Sequence, residues 1–145
     1  MSVELPSAPI DGIIRRNADG LRVSAEATAE LAERIQSHGA ALAIDAADRA
    51  DADGRKTLMA EDFSIQSIPP KESVTLPIAP VDRIARLDIH DRYRVSMDAR
   101  IALAAQLESY ADGVATGAAT LARHAGRRTV TDSDIRTYFE VTAGE

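Results

Sequence analysis

Gly54-Arg55-Lys56-Thr57 recurs as Gly126-Arg127-Arg128-Thr129, and the offset of 72 residues between the two decides the fold. At the same offset Arg22-Val23-Ser24 matches Arg94-Val95-Ser96, and Asp62 matches Asp134. Between residues 22–63 and 94–135, 15 of 42 positions are identical, where richness in alanine alone would give a handful. Upstream, Leu5-Pro6-Ser7-Ala8-Pro9-Ile10 matches Leu76-Pro77-Ile78-Ala79-Pro80-Val81 at an offset of 71, so the second copy carries one inserted residue before Arg94. A repeat on this scale is settled before any local reading, because each copy must then be the same structural unit. The copies are residues 1–63 and 76–145. A connector over 64–75 joins them and contains Pro69-Pro70, which cannot continue a helix.

Within each copy the apolar period is helical. A short helix is expected at about Pro9 to Asn17, and its counterpart at about Pro80 to Asp88, each with proline near a permitted first-turn position. Ser24 and Ser96 are good N-caps. From them long helices run to about Asp51 and about His124. Their apolar positions are Ala27, Leu31, Ile35, Leu42, Ala46 and Ala50 in copy one, and Ala99, Leu103, Leu107, Val114, Ala118 and Ala122 in copy two. Spacings of four and seven make each set one stripe on a helix roughly 40 Å long. Gly54 and Gly126 end these helices where a left-handed residue is wanted. Thr131 with Asp134 caps a third helix at about Asp132 to Val141. Copy one has Met59 in place of Thr131, so its third helix is expected to be shorter, at about Ala60 to Ile65. A long helix flanked by two short ones cannot bury its own stripe and needs a partner. The other copy is that partner, tethered at high effective concentration.

Composition narrows the function. The chain has 145 residues, 45% hydrophobic and only 3% aromatic, with no Trp, so its core is built from Ala, Leu, Ile and Val. The lack of cysteine excludes disulfides, zinc–thiolate sites and thiol catalysis, and fits a reducing cytoplasm. No apolar stretch approaches the roughly 20 residues of a membrane span. Met1-Ser2-Val3-Glu4-Leu5 lacks the layout of a signal peptide. A cytoplasmic chain with no membrane partner is expected. His38 and His90 have no ligand partner at metal spacing. Asp45, Asp48, Asp51 and Asp53 read as a solvated acidic face. Gly113 and Gly117 read as points where the long helices approach closely, not as a membrane motif. Nothing forms a nucleophile–base pair or a phosphate-cradling glycine loop. No enzyme activity, cofactor, metal or small-molecule substrate is therefore expected.

The formal charge is −6, from 23 acidic and 17 basic residues. Only Lys56 and Lys71 among the bases are lysine, and 14 of the acids are aspartate. Such a balance resembles the proteins of salt-loving cells; an ordinary acidic cytosolic protein is the alternative. A net-negative chain is a poor non-specific polyanion binder, so the placement of its bases matters more than their number. Residues 1–70 carry −5 and residues 71–145 carry −1.

Leu-Pro-x-Ala-Pro, a first helix, Arg-Val-Ser, a long helix, Gly-Arg-Lys/Arg-Thr and a closing Asp, in this order and twice over, resemble the archaeal histones. Copy two is the closer match, through Arg123-His124-Ala125-Gly126-Arg127-Arg128-Thr129-Val130. The resemblance implies an all-α fold of two tandem histone folds, each short helix–long helix–short helix, paired as an intramolecular pseudodimer of the double-histone, haloarchaeal type. In that family the first loop of one copy lies beside the second loop of the other, and the paired first helices join them on one DNA-facing surface.

Residue roles follow by the same implication. Arg22 and Arg94 enter the minor groove, braced by Thr57 and Thr129. Lys56 and Arg128 contact phosphate. Arg15, Arg86 and Arg83 match basic positions of the first helix; Gly12 stands where copy one should repeat Arg83, and Arg16 is the candidate to compensate. Arg55 with Asp62, and Arg127 with Asp134, are internal clamps. His124 with Asp134 marks a dimer–dimer interface, through which two chains would associate by their copy-two ends.

Lys56 and Arg128 also read as solvated loop charges, and His124 as an ordinary surface histidine. Two functions follow. One is a nucleoid-associated histone that binds and compacts double-stranded DNA with little sequence preference. The other is a histone-fold interaction module, or a low-abundance transcription regulator, with weak DNA binding. Arginine drawn to the minor groove and amides at helix N-termini suit the first; few aromatics argue against stacking on unpaired bases.

Overall fold

A computed structural model describes residues 2–143. The chain order is α1 (Ser7–Ala18), β1 (Arg22–Val23), α2 (Ala25–Ala52), β2 (Thr57–Leu58), two short 3-10 turns (Ala60–Phe63 and Lys71–Ser73), α3 (Ile78–Ala85), β3 (Arg94–Val95), α4 (Met97–His124), β4 (Thr129–Val130) and α5 (Asp132–Thr142). The long helices start where the serines predict: Ser24 Oγ accepts the Ala27 N–H, and Ser96 Oγ accepts the Ala99 N–H, both at 3.0 Å. They stop at the two glycines, with φ of 72° at Gly54 and 75° at Gly126. Beyond each glycine the chain reaches back into the last turn, Arg55 N–H to the Ala50 carbonyl and Arg127 N–H to the Ala122 carbonyl, both at 2.9 Å.

The short elements differ from expectation. α3 begins at Ile78 and ends at Ala85, not near Asp88, and Leu87 N–H turns back to the Ile84 carbonyl instead of continuing the helix. In copy one the third helix is only the 3-10 turn Ala60–Phe63, closed by Ser64 in a left-handed conformation. Met59 offers no hydroxyl, so Asp62 alone receives the cap N–H there, at 2.7 Å.

The chain divides into two compact units that do not follow the two copies. One unit holds the N-terminal residues to Leu5 and Gln36–Glu108; the other holds Pro6–Ile35 and the chain from Ser109 onward. Each unit is therefore built from both copies. In the first, β2 of copy one pairs in parallel with β3 of copy two, Thr57 opposite Arg94 and Leu58 opposite Val95. In the second, β1 pairs in parallel with β4, Arg22 opposite Thr129 and Val23 opposite Val130.

The seam predicted from spacing is the core. Of its twelve positions only Leu42 is half-exposed; the other eleven are buried. α1 adds Ile10, Ile13 and Ile14, and α3 adds Val81 and Ile84, all inaccessible to solvent. Full burial of an Ile or Leu side chain contributes roughly 1.5–3 kcal/mol, so neither copy could forgo the other without losing most of its core. In the first unit an N-terminal strap is pinned by Gln36, whose Oε1 accepts the Glu4 N–H at 2.7 Å and whose Nε2 donates to the Ser2 carbonyl at 2.9 Å. The end of the connector is held by Glu108, which accepts the N–H groups of Thr75 and Leu76.

The close approach of α2 and α4 is made by a different glycine from the pair singled out in the sequence. A side chain at Gly39 would meet Ile84 Cγ2 at 2.8 Å and Leu107 Cδ1 at 3.0 Å. Gly113 faces open space, and Gly117 admits the ring of Tyr138 from α5. Gly39→Ala is thus expected to overpack the α2–α4 contact and destabilise by about 1–3 kcal/mol, whereas Gly113→Ala removes a helix-interior glycine and stabilises by about 0.5–1 kcal/mol. Thermal melts of the two variants should move in opposite directions.

Candidate nucleic-acid interface

Each parallel bridge places an Arg-Val-Ser loop beside a Gly-Arg-Lys/Arg-Thr loop. In the first unit Arg94 N–H donates to the Lys56 carbonyl at 2.9 Å and Ser96 N–H to the Leu58 carbonyl at 3.0 Å. In the second, Arg22 N–H donates to the Arg128 carbonyl at 2.8 Å and Ser24 N–H to the Val130 carbonyl at 3.0 Å. The register sets Arg94 opposite Thr57 and Arg22 opposite Thr129, with Lys56 and Arg128 one residue further out. Arg22, Arg94, Lys56 and Arg128 are all exposed. Valine and leucine alternate inward from the bridges, burying Val95, Leu58 and Val130 and leaving the bases outward.

A clamp stiffens each second loop. Arg55 donates to both oxygens of Asp62, at 2.7 and 2.8 Å, and to the Thr57 carbonyl. Arg127 engages both oxygens of Asp134, Nη1 at 2.6 Å, and Thr131 gives that carboxylate its N–H at 2.8 Å and its hydroxyl at 3.1 Å. Both carboxylates are 2% exposed. The Arg55 guanidinium, and then the Met59 N–H, hold the Asp62 carboxyl below its usual range against the opposing effect of burial. Burial pushes the Asp134 carboxyl up, but Arg127 and Thr131 outweigh it and the net shift is downward. The Arg55 and Arg127 guanidiniums are shifted up in return, chiefly by their aspartates.

The arginines of the short helices are differently placed. Arg15 pairs with Asp11 at 2.6 Å, Arg16 with Asp112 at 2.9 Å, Arg83 with Glu4 at 2.9 Å and Arg86 with Asp82 at 3.1 Å. Asn17 also donates to Asp112, at 2.7 Å. Exposed pairs of this kind contribute about 0–1 kcal/mol, so they present these bases already half-neutralised. The expected acidic face stays exposed at Asp45, Asp48, Asp51 and Asp53, but Asp53 pairs with Arg55 and Asp51 is engaged from the other copy. The Asp51 carboxylate accepts the Tyr93 hydroxyl and lies 3.6 Å from Lys56 Nζ and 3.7 Å from Arg92 Nη2. His124 is exposed at the end of α4.

The profile of the family described as histone-like transcription factor (CBF/NF-Y) and archaeal histone matches residues 3–65 and, a second time, residues 74–137. This chain belongs to that family. A subunit of the archaeal histone HAN1 from Thermococcus zilligii is 52% identical over 61 residues, which are 42% of this chain and 88% of that protein. The crystal structure of the histone from Methanopyrus kandleri matches with a TM-score of 0.72 and 24% identity over 97% of both chains. The crystal structure of a protein from Thermus thermophilus matches with a TM-score of 0.67 and 16% identity, over 95% of this chain and 96% of that one. The architecture is two tandem histone folds paired within one chain.

For a histone fold with this register the clamps matter as supports. They fix the loop that carries Lys56-Thr57 or Arg128-Thr129 partly through the threonine carbonyls, without using the side chains of those residues. Arg92, Tyr93, Asp51 and Arg123 escaped the sequence reading as a group. The repeat offset held the clue, since it aligns Asp51 with Arg123 and Tyr93 with Leu21. Arg123 Nη1 donates to the Ala18 carbonyl at 3.2 Å, tying α4 to the end of α1.

Both clamp carboxyls are depressed in the folded protein, so their contribution to stability is complete above the unfolded carboxylate pKa of about 3.9. It disappears as pH falls through the lower folded values. Melting temperature is therefore expected to drop between about pH 5 and about pH 2. Asp134→Asn, which keeps the shape but loses the charge, should cost about 1–3 kcal/mol at neutral pH and flatten that acid limb. A melting series over this range in both proteins checks it.

Proposed function

We propose that this chain is an archaeal-type histone that binds double-stranded DNA through its two loop pairs, organising and compacting it with little sequence preference. The observation that supports this most directly is the register of the two parallel bridges. Each sets an exposed arginine opposite a threonine, with a base at the next position, on a backbone held by a buried clamp. Arginine on a rigid mount suits the narrow, negative minor groove, and flanking bases suit the phosphates beside it; neither needs a base-edge code. In this reading Arg22 and Arg94 enter the groove, Thr129 and Thr57 brace them, and Lys56 and Arg128 meet phosphate. Arg15, Arg16, Arg83 and Arg86 add contacts by exchanging their carboxylates for phosphate. The chain acts by binding, not catalysis, and resides in the cytoplasm on the chromosome. Self-association would run through exposed His124. Asp134 itself is committed to the Arg127 clamp, so it would act there by shaping the surface around His124.

A second reading keeps the pairing architecture but uses it for protein partners, with weak DNA binding in a regulatory role. The observation that favours it is the pairing of all four helix arginines with carboxylates in a chain of net charge −6.

Duplex titration at several salt concentrations separates the two. Arg22→Ala combined with Arg94→Ala should weaken binding on the order of tenfold or more with helicity unchanged, and lower the salt slope by about 2. Unchanged affinity would favour the interaction module. The wild-type slope should be shallower than the roughly 10³–10⁵ loss between about 50 and 200 mM salt typical of six to ten phosphate contacts. Binding that survives should prefer A·T tracts with a narrow groove. A steep slope without that preference would contradict the minor-groove reading.

A further inference from the structure

We propose that the two loop pairs are unequal DNA contacts. The β1–β4 pair, extended by Arg123, is the phosphate anchor, while the β2–β3 pair is held back by Asp51, whose carboxylate occupies the cations that would otherwise meet phosphate. The proposal rests on the DNA-binding reading above and assigns its polarity.

Position 51 and position 123 are counterparts in the repeat, each in the last turn of a long helix, and they carry opposite charge. In the first unit Asp51 sits inside a ring of donors. Tyr93 gives it its hydroxyl, Lys56 Nζ lies 3.6 Å away and Arg92 Nη2 lies 3.7 Å away. Arg92 also stacks over the Tyr93 ring, 4.9 Å from its centroid, and donates to its hydroxyl oxygen at 3.1 Å. An anion is thus already bound where two bases of this loop pair converge, and Tyr93 fixes it in place. Arg94 is the one groove-facing base of the unit left outside this ring.

The second unit keeps only the base of the second loop and loses the acid, the tyrosine and the second base of that ring. Leu21 stands for Tyr93, Gly20 for Arg92, Arg123 for Asp51 and Arg128 for Lys56. Among the described residues no carboxylate lies within 4.0 Å of Arg22, Arg123 or Arg128. Arg123 spends Nη1 on the Ala18 carbonyl and is otherwise exposed. The clamps repeat the contrast. Arg55 serves Asp62 and also Asp53 at 3.0 Å and Glu61 at 3.8 Å; the counterparts of Asp53 and Glu61 are Ala125 and Ser133, so among the described residues Asp134 is the one carboxylate paired with Arg127. At the four positions 51, 53, 61 and 62 the first unit carries four acids. At 123, 125, 133 and 134 the second carries one base and one acid.

Phosphate binding releases counterions in proportion to the charges it neutralises. A phosphate arriving at Arg22, Arg123 and Arg128 has no paired carboxylate to displace among the described residues. One arriving at Lys56 and Arg92 must displace Asp51 or lie against it. DNA is therefore gripped first at the second unit, and the first unit engages only through Arg94 until Asp51 is turned aside or neutralised.

The test uses the full chain and a mixed-sequence duplex just long enough for one molecule, read by fluorescence anisotropy at low salt. Arg22→Ala and Arg123→Ala should each weaken binding several-fold, on the order of tenfold for the former, with Arg94→Ala costing less than about threefold. Asp51→Asn, which can still accept the Tyr93 hydroxyl, should strengthen binding about three- to tenfold and steepen the salt slope by about 1–2. In the Asp51→Asn background Arg94→Ala should then cost as much as Arg22→Ala does. Melting curves confirm that each variant is folded. Equal losses for Arg22→Ala and Arg94→Ala in the wild-type background, or no gain from Asp51→Asn, overturn the proposal while leaving DNA binding intact. No binding by wild type at low salt overturns the DNA-binding reading itself, and the polarity with it.

Discussion

The two-residue strands have no hydrogen-bonding partner inside their own copy. Arg22 and Ser24 can donate their backbone N–H groups only because Arg128 and Val130 arrive from the other copy, and Arg94 and Ser96 depend in the same way on Lys56 and Leu58. A backbone donor left unmade in a partly buried loop costs about 1–3 kcal/mol. These bridges therefore do two jobs with one set of bonds. They close the pairing of the copies, and they fix which arginine stands beside which threonine. The presentation of the candidate DNA-binding bases is not added to the fold; it is a by-product of satisfying the loop backbones. Anything that separated the copies would scatter those bases at the same time.

The long elements were legible because they answer to rules that act within a few residues. The serine caps, the glycine stops and the apolar stripe each depend on local backbone geometry and on the 3.6-residue period, and the structure places them as that geometry requires. Short elements were less legible. Whether residues 60–65 make a helix or a single 3-10 turn depends on one cap residue, Met59 against Thr131, and on Ser64 adopting a left-handed conformation at once. Spacing points to Gly113 and not to Gly39, because it says which face a glycine occupies, not what stands opposite. The neighbours that make Gly39 necessary, Ile84 and Leu107, lie far along the chain.

The candidate interface shows the same division. Arg22, Arg94, Lys56 and Arg128 were readable because each recurs in its motif. Their electrostatic surroundings were not, since Asp51 looks like one more acid of an exposed helix until Tyr93 and Arg92 come to it from the other copy. The clamp aspartates lie between these cases. Asp62 and Asp134 stand seven residues from their arginines, a spacing that motif reading can catch. Only the folded loop shows that both oxygens of each are used and that the carboxylates are buried.

An acidic chain that carries histone motifs raises a problem of charge that its geometry goes some way to resolving. On the short helices each arginine is balanced by a neighbouring carboxylate, and such pairs are weak enough, about 0–1 kcal/mol, for phosphate to replace the carboxylate at little cost in pairing. In the proposed DNA complex a displaced carboxylate would not leave. It would stay within a few ångströms of the incoming phosphate and repel it over a distance set by ionic strength, about 10 Å at 0.1 M and about 3 Å at 1 M. Rising salt therefore removes counterion-release gain and carboxylate repulsion together. Bases that meet no carboxylate feel only the loss. Bases that share one feel both, and their net contribution changes less. In the proposed DNA-binding reading, helix arginines with built-in counterions would thus act as buffered contacts, while the loop arginines set by the parallel bridges would carry what discrimination of DNA shape the fold provides.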